Sequence, residues 1–167
     1  QESQIYLRDY RVIYLCNVYT INPQRLEELE EWVAAGGGLV ISVGNHVDAD
    51  EYNNLFYKDG EGLLPVQLDT MEGYEDKDNY VQFNPQTENH PIVFTQQASR
   101  FTLADLKVFH WFTSDVDPAA LEAGEINIPS RFTDEDQSPA MVEKRFGEGR
   151  VFLITTTLDR DWTNWPI

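Results

Sequence analysis

Basic residues are scarce in this sequence: 12 Lys and Arg stand against 29 Asp and Glu, for a formal charge of -17 and a pI near 4.3. No Lys/Arg cluster supplies a basic face, which excludes a free-standing nucleic-acid binder, whose affinity comes from neutralising phosphates. Attraction to an anionic membrane surface is disfavoured for the same reason. Cysteine is nearly absent. Cys16 alone permits neither an intrachain disulfide nor a cysteine-based metal site, and inside an apolar run it reads as a small buried hydrophobe. No apolar run approaches the roughly 18 to 20 residues of a spanning helix, so no direct membrane insertion is expected. Internal repeats and low-complexity segments are also missing. Core material is plentiful: 41% of the residues are apolar, with nine Phe, eight Tyr and four Trp, which excludes wholesale disorder. A length of 167 residues suits a single domain. The start at Gln1 and the stop at Trp165-Pro166-Ile167 read as cuts, so the expectation is a domain excised from a longer protein, with no basic-then-apolar leader in this stretch.

The N-terminal third is the most legible. Arg11 to Val18 is nearly continuously apolar, the mark of a strand buried on both faces. Asn22 followed by Pro23 reads as an N-cap and a proline at the first helical position. Leu26, Leu29 and Val33 then form one apolar stripe, with Glu27, Glu28, Glu30 and Glu31 on the other side. Gly36-Gly37-Gly38 ends this helix, Leu39 to Val43 is a second buried strand, and Gly44-Asn45 stops it. Strand, helix and strand make one parallel βαβ unit. Further on, Asp50 to Tyr57 predicts a short helix, and Leu63-Leu64-Pro65 a buried anchor. Thr70 to Asn79 reads as an exposed acidic loop. Tyr80 to Phe83, Ile92 to Phe94 and Leu106 to Phe112 read as strands. Ala140 to Phe146 and Arg150 to Thr157, joined by Gly147-Glu148-Gly149, predict an antiparallel hairpin. The expected fold is α/β: a flavodoxin-like three-layer core with a mostly parallel sheet, plus this C-terminal β-hairpin.

In such sheets ligands lie outside the carboxyl ends of the strands, which singles out Asn17, Gly44, Asn45, His46 and Asp159 as a candidate crevice. His46 with Asp48, Asp50 and Glu51 offers one imidazole and three carboxylates, but no recognised cation-loop spacing, so a solvated acidic loop is the better reading. The turn around Asn45 sits where a nucleophile elbow would be, yet carries neither Ser nor Cys at its tip. His90, between Asn89 and Pro91, reads as a turn residue, and His110, in an aromatic run, as a packed one. Gly36-Gly37-Gly38 follows a helix and enters a strand, the reverse of a phosphate loop. Trp111, Trp162 and Trp165 allow a sugar-stacking reading beside the plainer one of core packing. No enzymatic constellation is complete and no cofactor is called for.

Leu7 to Leu15, the Pro-led helix, and Trp32-Val33-Ala34-Ala35-Gly36-Gly37-Gly38-Leu39-Val40-Ile41 together resemble the opening of class I glutamine amidotransferase-like domains. Pro139 to Val151 resembles the closing hairpin of that group, and Asn89-His90-Pro91-Ile92 its His-Pro segment. The likeness is greatest to the extracytoplasmic domain of bacterial membrane-anchored proteins of the BatA and von Willebrand factor A type, and more distant to the ThuA-like trehalose-utilisation group. The resemblance implies a periplasmic domain on a membrane-anchored parent. Catalytic members carry a cysteine on the elbow after the strand matching Leu39 to Val43 and a late His-x-Glu pair. Here the elbow reads Gly44-Asn45-His46 and no histidine follows His110, so neither catalytic position carries over. The leading expectation is a non-catalytic binding or interaction module whose partner is another protein or the remainder of its own chain. The alternatives are a hydrolase of small polar or sugar-like substrates built on His46 with Asp48 or Asp159, and a structural spacer.

Overall fold

The Asn22 side chain accepts from the Gln24 N–H at 2.9 Å and Pro23 opens helix α1, Pro23–Ala34, as the cap-and-proline pair predicts. The computed structural model describes residues 6–87, 90–91 and 103–165. Leu26, Leu29 and Val33 on α1 are buried against the back of two parallel strands, β1 (Val12–Cys16) and β2 (Gly38–Ser42), in the expected βαβ unit. After β2 comes the short helix α2, Ala49–Tyr52, continued by a π turn over Asn53–Tyr57. Tyr52 is fully buried, its hydroxyl donates to the Val18 carbonyl, and burial pushes its pKa up to about 12. Leu63 and Leu64 are buried anchors. The chain continues through β3 (Gln67–Gly73), β4 (Val81–Pro85), β5 (Lys107–Val108), β6 (His110–Asp115), helix α3 (Pro118–Glu122), β7 (Ile126–Phe132), β8 (Pro139–Phe146) and β9 (Gly149–Ile154). The segment expected as an acidic loop is therefore strand as far as Gly73 and exposed turn beyond it. The strand expected at Ile92 to Phe94 lies outside the described residues.

The seven-stranded sheet runs β1-β2-β9-β8-β7-β4-β5, with β3 and β6 forming a separate antiparallel ribbon. Only β1, β2 and β9 are parallel; β9-β8, β8-β7, β7-β4 and β4-β5 all pair antiparallel. This overturns the flavodoxin-like, mostly parallel sheet expected from the sequence. The reason is helix length. Each parallel neighbour needs a crossover, usually a helix long enough to run back along the sheet. α1 has twelve residues and makes one crossover, whereas α2 has four and α3 has five. Among the described residues no other helix is long enough to make one.

The sheet has a core on each face, but the two are offset. On the back, Val33, Leu39, Ile41, Val151, Leu153, Val142 and Ile128 belong to one cluster that spans β1 to β7. On the front, Phe83, Phe132, Met141, Phe152 and Ile154 belong to a second that spans β4 to β9 and reaches only as far as Val40 on β2. The front of β1 is left open: Val12 is 48% and Tyr14 60% exposed. A strand expected to be buried on both faces is thus buried on one, and Cys16, expected inside, is exposed with them.

What places β9 beside β2 is the hairpin turn. The Glu148 N–H donates to the Ala34 carbonyl at 2.9 Å, satisfying a carbonyl left open at the end of α1, and the Arg150 N–H donates to the Gly37 carbonyl at 3.2 Å, just ahead of β2. A Cβ on Gly149 would lie 2.0 Å from the Val33 oxygen and 2.4 Å from that of Gly37. Gly149→Ala is therefore expected to cost about 1 to 3 kcal/mol in chemical denaturation, because backbone rather than a flexible side chain must yield. An unchanged midpoint would show that the turn does not dock this closely.

Candidate functional site

The carboxyl ends of the three parallel strands form a crest. Asn17 leaves β1 with φ at 51°, a left-handed conformation that asparagine tolerates better than most residues. Its N–H donates to the Ser42 carbonyl at 2.7 Å. Its side-chain oxygen accepts from the His46 N–H at 2.9 Å, and its amide nitrogen donates to the Asn45 side-chain oxygen at 2.8 Å. Gly44 is required for space: a Cβ there would lie 2.5 Å from the Asn17 side chain and 2.8 Å from that of Thr157. Asn17, Gly44, Asn45 and His46 are thus brought together across 28 residues of sequence. Asn45 and His46 are exposed at the tip of this turn.

Asp159 is exposed on the loop after β9, and its carboxylate accepts from the Asp161 N–H at 2.9 Å. Burial and the nearby charge of Asp159 raise the Cys16 thiol, which keeps it protonated and a poor nucleophile. The hydroxyls after β9 point inward: Thr155 donates to Pro139 O at 2.8 Å, Thr156 to His110 O at 2.8 Å, and Ser42 to Thr156 O at 2.9 Å. The crest is a polar network that satisfies itself. Asp48 caps α2 through the Glu51 N–H at 2.9 Å, and Asp50 and Glu51 lie in its first turn. Among the described residues no three His, Cys, Asp or Glu side chains converge as metal ligands.

Trp111 and Trp162 are each only 5% exposed, and Trp165 packs against the front core, so these rings serve packing rather than a sugar platform. The His110 ring lies 5.8 Å from Trp162, a packed histidine as its surroundings imply. His90, read from the sequence as a turn residue, lies in a bend and its side chain is engaged. Its Nε2 is 3.1 Å from Glu143, its ring stacks on Phe152 at 6.2 Å, and the second Glu143 oxygen accepts from Arg150 at 2.5 Å. The one sequence signal for this trio is Glu143 itself, a carboxylate in the middle of an otherwise well-packed hairpin. Burial by itself would raise the Glu143 pKa, but hydrogen bonds and charge from Arg150 and His90 outweigh it and hold the carboxyl below its ordinary 4.5. On the opposite face Lys144 donates to Gly60 O and Gly62 O, both at 2.7 Å, and burial lowers its pKa.

No protein-family model matches the chain, and no curated protein matches it. Among solved structures it is similar to the cytoplasmic protein STM3548 from Salmonella typhimurium, with a TM-score of 0.68 and 17% identity over 93% of this chain and 64% of that one. It is also similar to the cytoplasmic protein STM1381 from Salmonella typhimurium LT2, with 0.67 and 15% over 96% and 67%. A beta-galactosidase from Bacillus circulans sp. alkalophilus gives 0.62 and 12% over 93% of this chain and 21% of the enzyme. At these identities the likeness is one of fold. The chain spans less than two thirds of the length of STM3548 and about a fifth of the galactosidase.

Two outcomes follow from these networks. Asn17→Ala removes both side-chain bonds to the 44–46 turn and places alanine at positive φ, so it is expected to cost about 1 to 3 kcal/mol, whereas the exposed His46→Ala stays within about 0.5 kcal/mol. Equal costs in urea denaturation would deny Asn17 its central place. A carboxyl whose folded pKa is lowered adds stability that is fully present above the unfolded value near 4.5 and is lost as pH falls through the lower folded value. Glu143→Gln is therefore expected to flatten the acid limb of the stability–pH curve, and an unchanged slope would contradict the trio.

Proposed function

We propose that this chain is a non-catalytic protein-interaction module and that the open front of β1 is its working surface. One observation carries the reading. Five of the nine exposed large hydrophobic side chains among the described residues, Tyr6, Tyr10, Val12, Tyr14 and Tyr19, lie within one short stretch. Residues 10–26 contain no Asp or Glu in a chain that has 29. Tyr10, Val12, Tyr14 and Tyr19 thus lie in a stretch without carboxylates on an otherwise strongly acidic chain, the composition of a contact region. Parallel strands are ordinarily covered on both faces, and among the described residues β1 is covered on one.

The crest supports the same reading from the other side. Its tip carries Asn45 and His46 but no hydroxyl or thiol, the neighbouring Cys16 is held protonated, and the side chain of Asn17 is spent on holding the turn. His46 therefore has no serine- or cysteine-type nucleophile beside it to activate.

Tyr14→Asp is expected to leave unfolding free energy within about 0.5 kcal/mol, since the side chain is 60% exposed, and to abolish enhancement of an apolar fluorescent dye. A loss of several kcal/mol would show that the face is core. Assays with glutamine and with nitrophenyl esters and glycosides are expected to show no turnover, and turnover abolished by His46→Ala would sink the proposal.

A further inference from the structure

A cleft of about 500 Å³, the size of a small-ligand site, lies at the C-terminal end of α1. It is lined by Arg8, Tyr10, Arg11 and Trp32, with Gly36 and Gly37 from the turn after the helix. No carboxylate lines it, and Asp9, between the two arginines in sequence, is not part of its wall. In a chain with 29 Asp and Glu this sets it apart: three other clefts of comparable size carry two, three and four carboxylates. Among the described residues neither Arg8 nor Arg11 has an ion-pair partner, whereas Arg25 in the adjoining cleft is paired with Glu28 at 2.7 Å.

The walls are fixed in advance. The Tyr10 N–H donates to the Leu7 carbonyl and the Gly38 N–H to that of Arg11, both at 3.0 Å, so the backbone carrying the arginines is pinned. The Arg8 guanidinium lies over the Tyr6 ring, 4.6 Å from its centre. The Trp32 indole rests on Gly37, where a Cβ would come within 2.6 Å of three ring atoms. A helix C-terminus is ordinarily negative and opposes an anion. Here the carbonyls of Glu31, Trp32, Val33 and Ala34 accept from the N–H groups of Ala35, Gly37, Gly36 and Glu148, which offsets that charge. The same bonds occupy the Gly36 and Gly37 N–H groups, so recognition of an anion falls to the two arginines.

We propose that this cleft binds a small organic phosphate carrying a planar ring. Arg8 and Arg11 together supply two positive charges, which matches a phosphate monoester, with about -2 near neutral pH. A guanidinium also pairs phosphate oxygens two at a time. The rings of Trp32 and Tyr10 in the same wall suit a flat partner, and the open space at the Cβ position of Gly36 leaves it room. The wall offers no carboxylate or imidazole to act on the ester, so the ligand is held rather than cleaved. This site lies at the end of β1 opposite the crest and does not depend on the interaction reading above.

Phenyl phosphate, inorganic phosphate and phenol, each titrated by calorimetry into the 167-residue chain, are the probes. Phenyl phosphate is expected to bind, inorganic phosphate roughly tenfold more weakly for want of stacking, and phenol not at all. Arg8→Gln and Arg11→Gln are each expected to weaken phenyl phosphate roughly tenfold or more, the loss of a charge-assisted bond. Arg25→Gln is expected to leave it unchanged. All three side chains are exposed, so each variant is expected to keep the wild-type urea midpoint. Tryptophan quenching gives a readout free of any chosen ligand. Iodide is expected to quench the emission lost in Trp32→Phe more strongly than caesium does, against the repulsion that a charge of -17 imposes. No binding of phenyl phosphate at millimolar concentration, equal affinity for inorganic phosphate, equal weakening by Arg25→Gln, or stronger quenching by caesium overturns the proposal.

Discussion

The contact between the Gly147–Gly149 turn and the end of α1 is the constraint on which the rest of the sheet depends. A helix C-terminus leaves carbonyls without partners, and a hairpin turn presents N–H groups that also lack them. Here each answers the other where Glu148 bonds to Ala34, and Arg150 bonds to Gly37 just ahead of β2. The fit is close enough that glycine is needed at Gly147, at φ 59°, and at Gly149. Docked this way, β9 enters in register with β2 from Gly38↔Arg150 to Ser42↔Ile154. A strand from an antiparallel hairpin becomes the third parallel strand without a crossover helix of its own.

Two consequences propagate from that junction. At its far end, β9 delivers Thr155, Thr156 and Thr157 to the crest, where they close against Pro139, His110 and the Gly44 turn. The sheet then splits its burden between faces. The back is sealed by α1 across all three parallel strands, whereas the front core follows the antiparallel half and ends at Val40. An open front on β1 follows from this offset, and with it a tyrosine-rich surface on an acidic protein. On β8, Arg150 and His90 make the half-buried carboxylate of Glu143 tolerable.

Local patterning made much of this legible. The cap at Asn22, the stripe of Leu26, Leu29 and Val33, and the hairpin glycines each act within a few residues, so α1, β1, β2 and β8–β9 were readable with small shifts at their ends. Asn17, Gly44, Asn45 and His46 could be grouped because one βαβ unit fixes where strand ends meet. Strand β7 and helix α3 gave no comparable pattern, since β7 carries Asn127 and Pro129 among its apolar residues. His90 was unreadable because its partner Glu143 lies 53 residues away on a strand whose alternation says nothing about what packs over it.

That α1, β1, β2 and the β8–β9 hairpin form, and that one parallel crossover opens the chain, follow from short-range steric and hydrogen-bonding preferences already present in the order of amino acids. Parallel or antiparallel neighbours for the remaining strands, and the exposure of Val12, Tyr14 and Cys16, do not. An apolar run looks the same whether one face of its strand is covered or two, because periodicity records the side chain and not what lies above it. Those matters were settled only when the hairpin met the helix end and left the front of β1 without a covering layer.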